Sequence, residues 1–129
     1  MIVAVVLMIF VVVFSTLDLL QDVKAAMNDV ETDDAYIEMQ ATAYCIDGTT
    51  ATGTHTRKGI CAGKREWFGK TAVVYADNNG EIGDLIGVYI VEDTGGKDIR
   101  SGKVIDIWLP TESECKQFGR QNVHVYILD

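Results

Sequence analysis

The stretch VEDTGGKDIRSGKVIDIWLP, residues 91–110, places two aspartates in or beside strand-forming sequence. Asp93 ends a run rich in Val, Ile and Tyr, and two glycines follow shortly after it. Asp106 lies within the apolar run 104–108, where an aspartate between β-branched residues is unfavourable unless it has a partner, a raised pKa or a function. The stretch therefore predicts two β-strands that each carry a carboxylate near a strand end.

The Asp93-Thr94-Gly95-Gly96 sequence predicts a place where the backbone approaches a ligand closely, because glycine carries no side chain. Two carboxylates on adjacent strand ends suit acid–base work on a glycosidic bond. The residues alone support a structural interpretation equally well. In that interpretation Asp93 makes an Asx turn and Asp106 accepts backbone hydrogen bonds.

Strand-forming runs bounded by Gly, Asn or Asp recur along the chain. They are residues 36–45, 71–77, 86–93, 103–109 and 123–128. The Asp77-Asn78-Asn79-Gly80 sequence predicts a turn between two of them. Five or six short strands must leave no exposed edge, which favours a small barrel over a sandwich. The predicted fold is therefore mainly β.

One short helix is predicted late in the chain. Pro110 ends a strand, Thr111 can cap a helix, and Glu114 three residues later completes a capping-box pattern. Gly119 is positioned to end this helix.

The N-terminal residues 1–17 contain no charged side chain. A helix of that length would be about 25 Å long, the short limit for crossing a bilayer. A membrane anchor is favoured over a cleaved signal, which normally has a basic start, and over a core helix, which would show a polar face. Residues 18–35 predict a juxtamembrane helix and linker, and residues 36–129 the β domain.

The acidic balance limits the choice of partner. Lys and Arg number 11 against 19 Asp and Glu, so the net charge is -8. This argues against nonspecific nucleic-acid binding, which depends on positive side chains neutralising phosphates. No cluster of His, Cys and Asp has metal-ligand spacing, so the sequence predicts neither a metal site nor a cofactor.

The three cysteines, Cys45, Cys61 and Cys115, are spaced too widely for a zinc knuckle. An exported domain would by default have one disulfide and one remaining thiol, and the sequence leaves all three pairings open. A cysteine nucleophile is disfavoured, because it needs a positioned histidine and the chain has only His55 and His124.

Three stretches carry motifs in a recognisable order: ATAYCIDGTTATGTHTRKG (41–59), VEDTGGKDIRSGKVIDIWLP (91–110) and FGRQNVHVYIL (118–128). In this order they resemble the 3D (three-aspartate) domain, a double-psi β-barrel module of bacterial cell-wall enzymes. The resemblance covers residues 41–128, and three motifs in order are far more specific than DTGG alone. The module is similar to that of membrane-bound lytic transglycosylase A and, more distantly, to rare lipoprotein A-like domains.

The resemblance implies a six-stranded double-psi barrel that cleaves the MurNAc–GlcNAc bond of peptidoglycan without water and leaves a 1,6-anhydro end. The aspartate of DTGG is the family's main acid and base, which implies that role for Asp93. The aspartate before the aromatic residue corresponds to Asp106. Thr94 and the amides of Gly95 and Gly96 would then hold the substrate.

The chain departs from the family pattern in three ways, one of which is a longer gap between Asp93 and Asp106. Tyr75 stands where the family has its first aspartate, so either Asp77 takes that role with a shifted register or the role is lost. Residues 60–70 replace a short connection and bring in Trp67. Trp67 and Tyr75 would stack on sugar rings or, in the alternative, pack at the edge of the core.

Together these features predict a membrane-anchored lytic transglycosylase of the bacterial envelope, with peptidoglycan glycan strands as its partner. Residues 1–17 would hold it in the membrane with the domain outside the cytoplasm, or the domain would be secreted if that segment is cleaved. One alternative is a barrel that binds glycan without cutting it. Another is a plain glycoside hydrolase that uses Asp93 with Asp77 or Asp106.

Overall fold

The computed structural model describes residues 36–129, which form one compact unit. The predicted anchor or signal at 1–17 and the predicted juxtamembrane segment at 18–35 lie outside the described residues. Within 36–129, no helix is long and apolar enough to cross a membrane.

Six strands close into a barrel in the order β1-β5-β2-β4-β3-β6. They are β1 (Ile37–Tyr44), β2 (Ile60–Ala62), β3 (Thr71–Asn78), β4 (Glu81–Asp93), β5 (Val104–Trp108) and β6 (Gln121–Leu128). Two pairs, β1 with β5 and β2 with β4, are parallel, and the other four are antiparallel. The prediction of a mainly β, six-stranded barrel is confirmed, and closure leaves no unpaired strand edge.

Alternate residues of three strands form much of the core, because successive side chains of a strand point to opposite faces. These alternate residues are Met39 and Ala41 in β1, Ala72 and Val74 in β3, and Val123 and Val125 in β6. The short central strands β2 and β5 contribute Cys61, Ile105 and Ile107, all fully buried. Asp106, between those two isoleucines, therefore points to the opposite face of β5, where its side chain is half-buried.

Two short helices flank the last strands: α1 (Lys97–Arg100) and α2 (Glu112–Phe118). The second is the predicted late helix, and Gly119 ends it with a φ of 62°. The sequence did not predict α1 or the 3-10 turn at Arg65–Trp67. The predicted turn before β4 is present, and Asn79 and Gly80 both take positive φ, 53° and 89°.

Removing the N-cap of α2 is expected to destabilise the protein. The Thr111 hydroxyl accepts a hydrogen bond from the Glu114 amide at 3.1 Å, which satisfies one of the free donors at the helix start. Thr111→Ala should therefore lower the free energy of unfolding by about 1 kcal/mol, measured by urea titration. Thr111→Ser keeps the hydroxyl and should stay near wild type. An equal loss in both variants would contradict a capping role.

Candidate active site

The two aspartates of the 91–110 stretch lie on either side of β2. Ala62 is the register partner of Asp93 in β4 and of Asp106 in β5. Neighbouring strands are about 4.8 Å apart, so the two backbones are separated by roughly 10 Å. Contrary to the sequence prediction, the two strands are therefore not adjacent, because β2 lies between them, and Asp106 lies in the middle of β5 and not at its end.

Asp93 is held by three hydrogen-bond donors. Its Oδ1 accepts from the amides of Ala51 at 3.0 Å and Thr94 at 2.9 Å. Its Oδ2 accepts from the hydroxyl of Tyr44 at 3.0 Å. The bond to the Thr94 amide joins adjacent residues and is therefore not the predicted Asx turn, which would use the amide two residues on. The other two bonds come from distant segments. Because both oxygens are engaged, the carboxyl group has a fixed orientation at the end of β4.

Asp106 has a different environment. The Thr42 hydroxyl donates to its Oδ1 at 2.9 Å, and the side chain is half-buried. Burial is the largest cause that raises the pKa of Asp106, and the negative charge of Asp93 adds to it. The Thr42 hydrogen bond and the charge of Arg120 lower the pKa and oppose that rise. The net direction is upward, so this carboxyl retains a proton to higher pH than an ordinary aspartate.

Tyr44 donates to Asp93 and was not predicted as a site residue. Burial first, and then its contact with Asp93, raise the pKa of Tyr44, and the charge of Asp106 also contributes. The phenol therefore stays protonated and acts as a donor. The two-residue alternation of β1 was the available signal, because it puts Thr42 and Tyr44 on one face. Each then meets one of the two aspartates.

The TATG motif lies in the loop 49–57, which supplies the amide of Ala51 to Asp93. A threonine cluster holds this loop: Thr50 is buried, and its hydroxyl lies 2.7 Å from that of Thr54. Thr54 in turn donates to Glu92 at 2.9 Å. The motif therefore has a physical role, because it fixes a backbone donor against the carboxylate that follows Glu92 in sequence.

Arg57 fixes the same loop to β4 through a bidentate ion pair with Glu92. Its Nη2 lies 2.7 Å from Glu92 Oε1, and its Nη1 donates to Oε2. The hydrogen bond from Arg57 is the main cause that lowers the pKa of Glu92. Since the Glu92 side chain is only 13% exposed, the pair is shielded from solvent on the carboxylate side.

Glu92→Gln is expected to destabilise the protein by about 1 kcal/mol at neutral pH, since it loses a charge-assisted pair. The folded-state pKa of Glu92 is lowered, so its contribution is present above the ordinary glutamate range and is lost as the pH falls through the folded value. Thermal unfolding at a series of pH values should show the two proteins converging in acid. Glu81→Gln, at the exposed start of β4, is the matched control. A difference that does not change with pH would contradict the role of the ion pair.

The predicted substrate-binding residues after Asp93 lead from β4 into α1. The hydroxyl of Thr94 is buried and has no hydrogen-bond partner among the described residues. A Cβ on Gly95 would come within 2.7 Å of the Ile99 side chain, so the small residue permits this close approach. Gly96 precedes α1, and its carbonyl accepts from the Arg100 amide at 3.0 Å.

A depression of about 380 Å³ lies beside α1, and neither aspartate of the pair lines it. Thr42, the donor to Asp106, lines it together with Gly96. Arg120 lines it as well and also donates to Gln40 at 2.8 Å. The depression is lined mainly by polar residues, and Thr42 connects it to the aspartate pair.

Asp77 is not brought to this pair. It is the register partner of Ile82 near the start of β4, whereas Asp93 is the last residue of that strand. Its Oδ1 lies 2.7 Å from Nε2 of the buried His124, and that contact is the main cause that lowers the pKa of Asp77. The two residues line a separate cavity of about 530 Å³.

The two aromatic residues predicted to stack on sugar rings take different positions. Tyr75 packs edge-on against Tyr36, with ring centroids 5.7 Å apart, and is the register partner of His124. Tyr75 therefore lies near Asp77 and His124 and not near the aspartate pair. Trp67 is half-buried against the core, and Lys64 lies 5.5 Å from its ring centroid. These packing contacts correspond to the alternative interpretation of both residues.

All three cysteines are free thiols. Cys61 is fully buried in the core, and Cys45 and Cys115 are half-buried. Across residues 36–129 there is no group of three or more His, Cys, Asp or Glu side chains arranged to hold a metal ion.

Comparison with known proteins gives one family. The model of the 3D domain matches residues 67–129, which include β3 to β6 and both aspartates of the pair. The match and the closed six-stranded mixed barrel together fit a 3D-domain double-psi barrel, a family associated with peptidoglycan. No curated protein matches the chain significantly.

Proposed function

From the match of residues 67–129 to the 3D domain family, we propose that the protein is a lytic transglycosylase of the bacterial cell wall. It would cleave the MurNAc–GlcNAc bond of peptidoglycan and leave a 1,6-anhydro end. The observation that carries the proposal is the pairing of Asp93, oriented by three donors, with Asp106, whose pKa is raised. Acid–base sites commonly contain neighbouring carboxyls in unlike environments.

In the proposed reaction, Asp93 in its acid form gives its proton to the glycosidic oxygen, and the carbon–oxygen bond to the leaving GlcNAc breaks. The resulting carboxylate takes the proton of the MurNAc 6-hydroxyl, whose oxygen bonds to the anomeric carbon. The proton count closes, since Asp93 ends protonated as it began, and no water is consumed. A nucleophile within the same sugar has a high effective concentration, so no second carboxylate is needed to position water.

The neighbours of Asp93 would position it and hold the substrate. Tyr44 and the Ala51 amide fix the orientation of its carboxyl group. Asp106 supplies a second carboxyl two strands away. The hydroxyl of Thr94 is buried without a partner among the described residues, which is unfavourable, and it would bind a substrate group once its side chain turns toward the surface. The depression beside α1 would receive the neighbouring sugar.

The proposed location follows the N-terminal sequence. Residues 1–17 would anchor the protein in the membrane with residues 36–129 on the outer side, where peptidoglycan is found. Cleavage after this segment would release the domain instead. Either arrangement gives the barrel access to glycan strands.

A second candidate function is glycan binding without cleavage. The observation that favours it is the position of Asp77, which pairs with His124 and does not join the other two aspartates. A barrel of this family with two neighbouring carboxyls instead of three would still bind glycan and would have no catalytic activity.

The test is incubation of the full chain with isolated peptidoglycan, followed by mass spectrometry of the soluble products. Muropeptides lighter than their hydrated forms by one water are the expected result. Hydrated reducing ends would overturn the proposal in favour of a plain hydrolase. Sedimentation of the protein with the sacculi, without release of fragments, would overturn it in favour of a binding module.

A further inference from the structure

Two of the three cysteines are neighbours in space. Cys45 directly follows β1, and Cys115 lies in the middle of α2. The helix that carries Cys115 packs against β1, whose last residue precedes Cys45, and the Cys45 thiol contributes to the raised pKa of Cys115. The sequence left the three possible pairings open, and the fold brings one pair together.

The backbone around the two cysteines holds them in place. The amide of Leu109, just after β5, donates to the carbonyl of Tyr44 at 2.9 Å, which extends the β1–β5 pairing up to Cys45. Two residues later the Thr111 cap starts α2, and α2 packs against β1. The connection between strand and helix therefore holds the segments that carry Cys45 and Cys115 side by side.

The third cysteine is excluded by its position. Cys61 lies in β2, fully buried in the barrel interior. Burial is the main cause that raises its pKa far above the ordinary thiol range, so it remains a protonated and unreactive thiol. Cys45 and Cys115 are both partly exposed to solvent. A soluble oxidant can reach those two and not the third.

We propose that Cys45 and Cys115 form an intramolecular disulfide when the protein meets a disulfide oxidant. One thiolate attacks the oxidant and forms a mixed disulfide, and the other thiol then displaces the second half of the oxidant. The two cysteines are oxidised by two electrons in total, the oxidant is reduced to two thiols, and the two cysteine protons end on those thiols. The proposal does not depend on the proposed function.

The linkage would act on the fold and on the site. It joins positions 70 residues apart (115 minus 45), so it restricts the unfolded chain strongly. It also fixes the end of β1 next to Tyr44, the residue that donates to Asp93.

The rate of formation should rise with pH. Burial first, and then the Cys45 thiol, raise the pKa of Cys115, with smaller contributions from the charges of Asp106 and Glu114. The thiolate is the reacting form, so oxidation should accelerate as the pH increases toward that raised value.

The test treats the full chain with oxidised glutathione and maps its peptides by mass spectrometry without reduction. The expected product is a monomer in which the peptides of Cys45 and Cys115 are linked, and its Tm should exceed that of the reduced protein by about 10 °C. Cys45→Ser and Cys115→Ser should each abolish both the link and the Tm rise. The same variants under reducing conditions report any cost to the fold.

Three outcomes would overturn the proposal. They are glutathione attached separately to each cysteine, disulfide-linked dimers, and a link that involves Cys61. Alkylation of the untreated folded protein is a further check. It should label Cys45 and Cys115 and leave Cys61 unlabelled until the chain is unfolded.

Discussion

Asp93→Asn is expected to reduce the release of anhydro-muropeptides from peptidoglycan by about 10³-fold, because a positioned acid–base group contributes on that scale. Asparagine has nearly the same shape and keeps a carbonyl oxygen to accept from the amides of Ala51 and Thr94. It has no proton to give to the glycosidic oxygen. The loss should therefore appear in the rate, with the barrel intact.

The controls separate chemistry from binding and folding. Asp84→Asn removes the same charge from an exposed position in β4 and should release fragments at the wild-type rate. Asp93→Asn itself should still sediment with sacculi, because the depression beside α1 is untouched. Fragment release by Asp93→Asn within a few-fold of wild type would remove Asp93 from the mechanism.

Asp106→Asn is expected to raise the stability of the protein at neutral pH while it lowers activity. Burial and the charge of Asp93 raise the pKa of Asp106, so holding this group ionised costs free energy in the folded state. The neutral amide removes that cost and still accepts from Thr42. The gain should be on the order of 1 kcal/mol, since partial exposure reduces the effect, or roughly 5 °C in Tm.

The stability difference between wild type and Asp106→Asn should depend on pH. A group whose folded pKa is raised contributes stability below its unfolded pKa and loses that contribution as the pH rises through the folded value. Wild type and Asp106→Asn should thus differ little in acid, and the variant should gain as the pH rises from about 4 toward neutral. Thermal unfolding across that range measures it. A variant less stable than wild type at neutral pH would mean that the Asp106 charge stabilises the fold.

Local sequence predicted the parts of this fold that depend on nearest neighbours. Alternating residues in 36–45, 71–77 and 123–128 correspond to β1, β3 and β6, because each strand buries one face. The Thr111 cap and the Asn79-Gly80 turn were also predictable from sequence. Each requires a particular residue type at one position, a hydroxyl at the helix start and residues that tolerate positive φ in the turn.

Strand pairing between segments that are distant in sequence could not be predicted from local sequence. β2 has only three residues, too few to show alternation, and its partners β4 and β5 lie far along the chain. The Thr42 hydroxyl reaches Asp106 across 64 residues through the register of β1 and β5. In the same way, the pairing of β3 with β6 places Asp77 next to His124 and far from Asp93. No motif of a single stretch carries that information.

The most direct test of the central claim is the source of the oxygen at newly formed glycan ends. Peptidoglycan is digested by the full chain in water labelled with oxygen-18, and the soluble products are read by mass spectrometry. Ring closure by the sugar's own 6-hydroxyl predicts anhydro ends without label from wild type and almost none from Asp93→Asn. Labelled reducing ends would show that water is the nucleophile and would contradict the account.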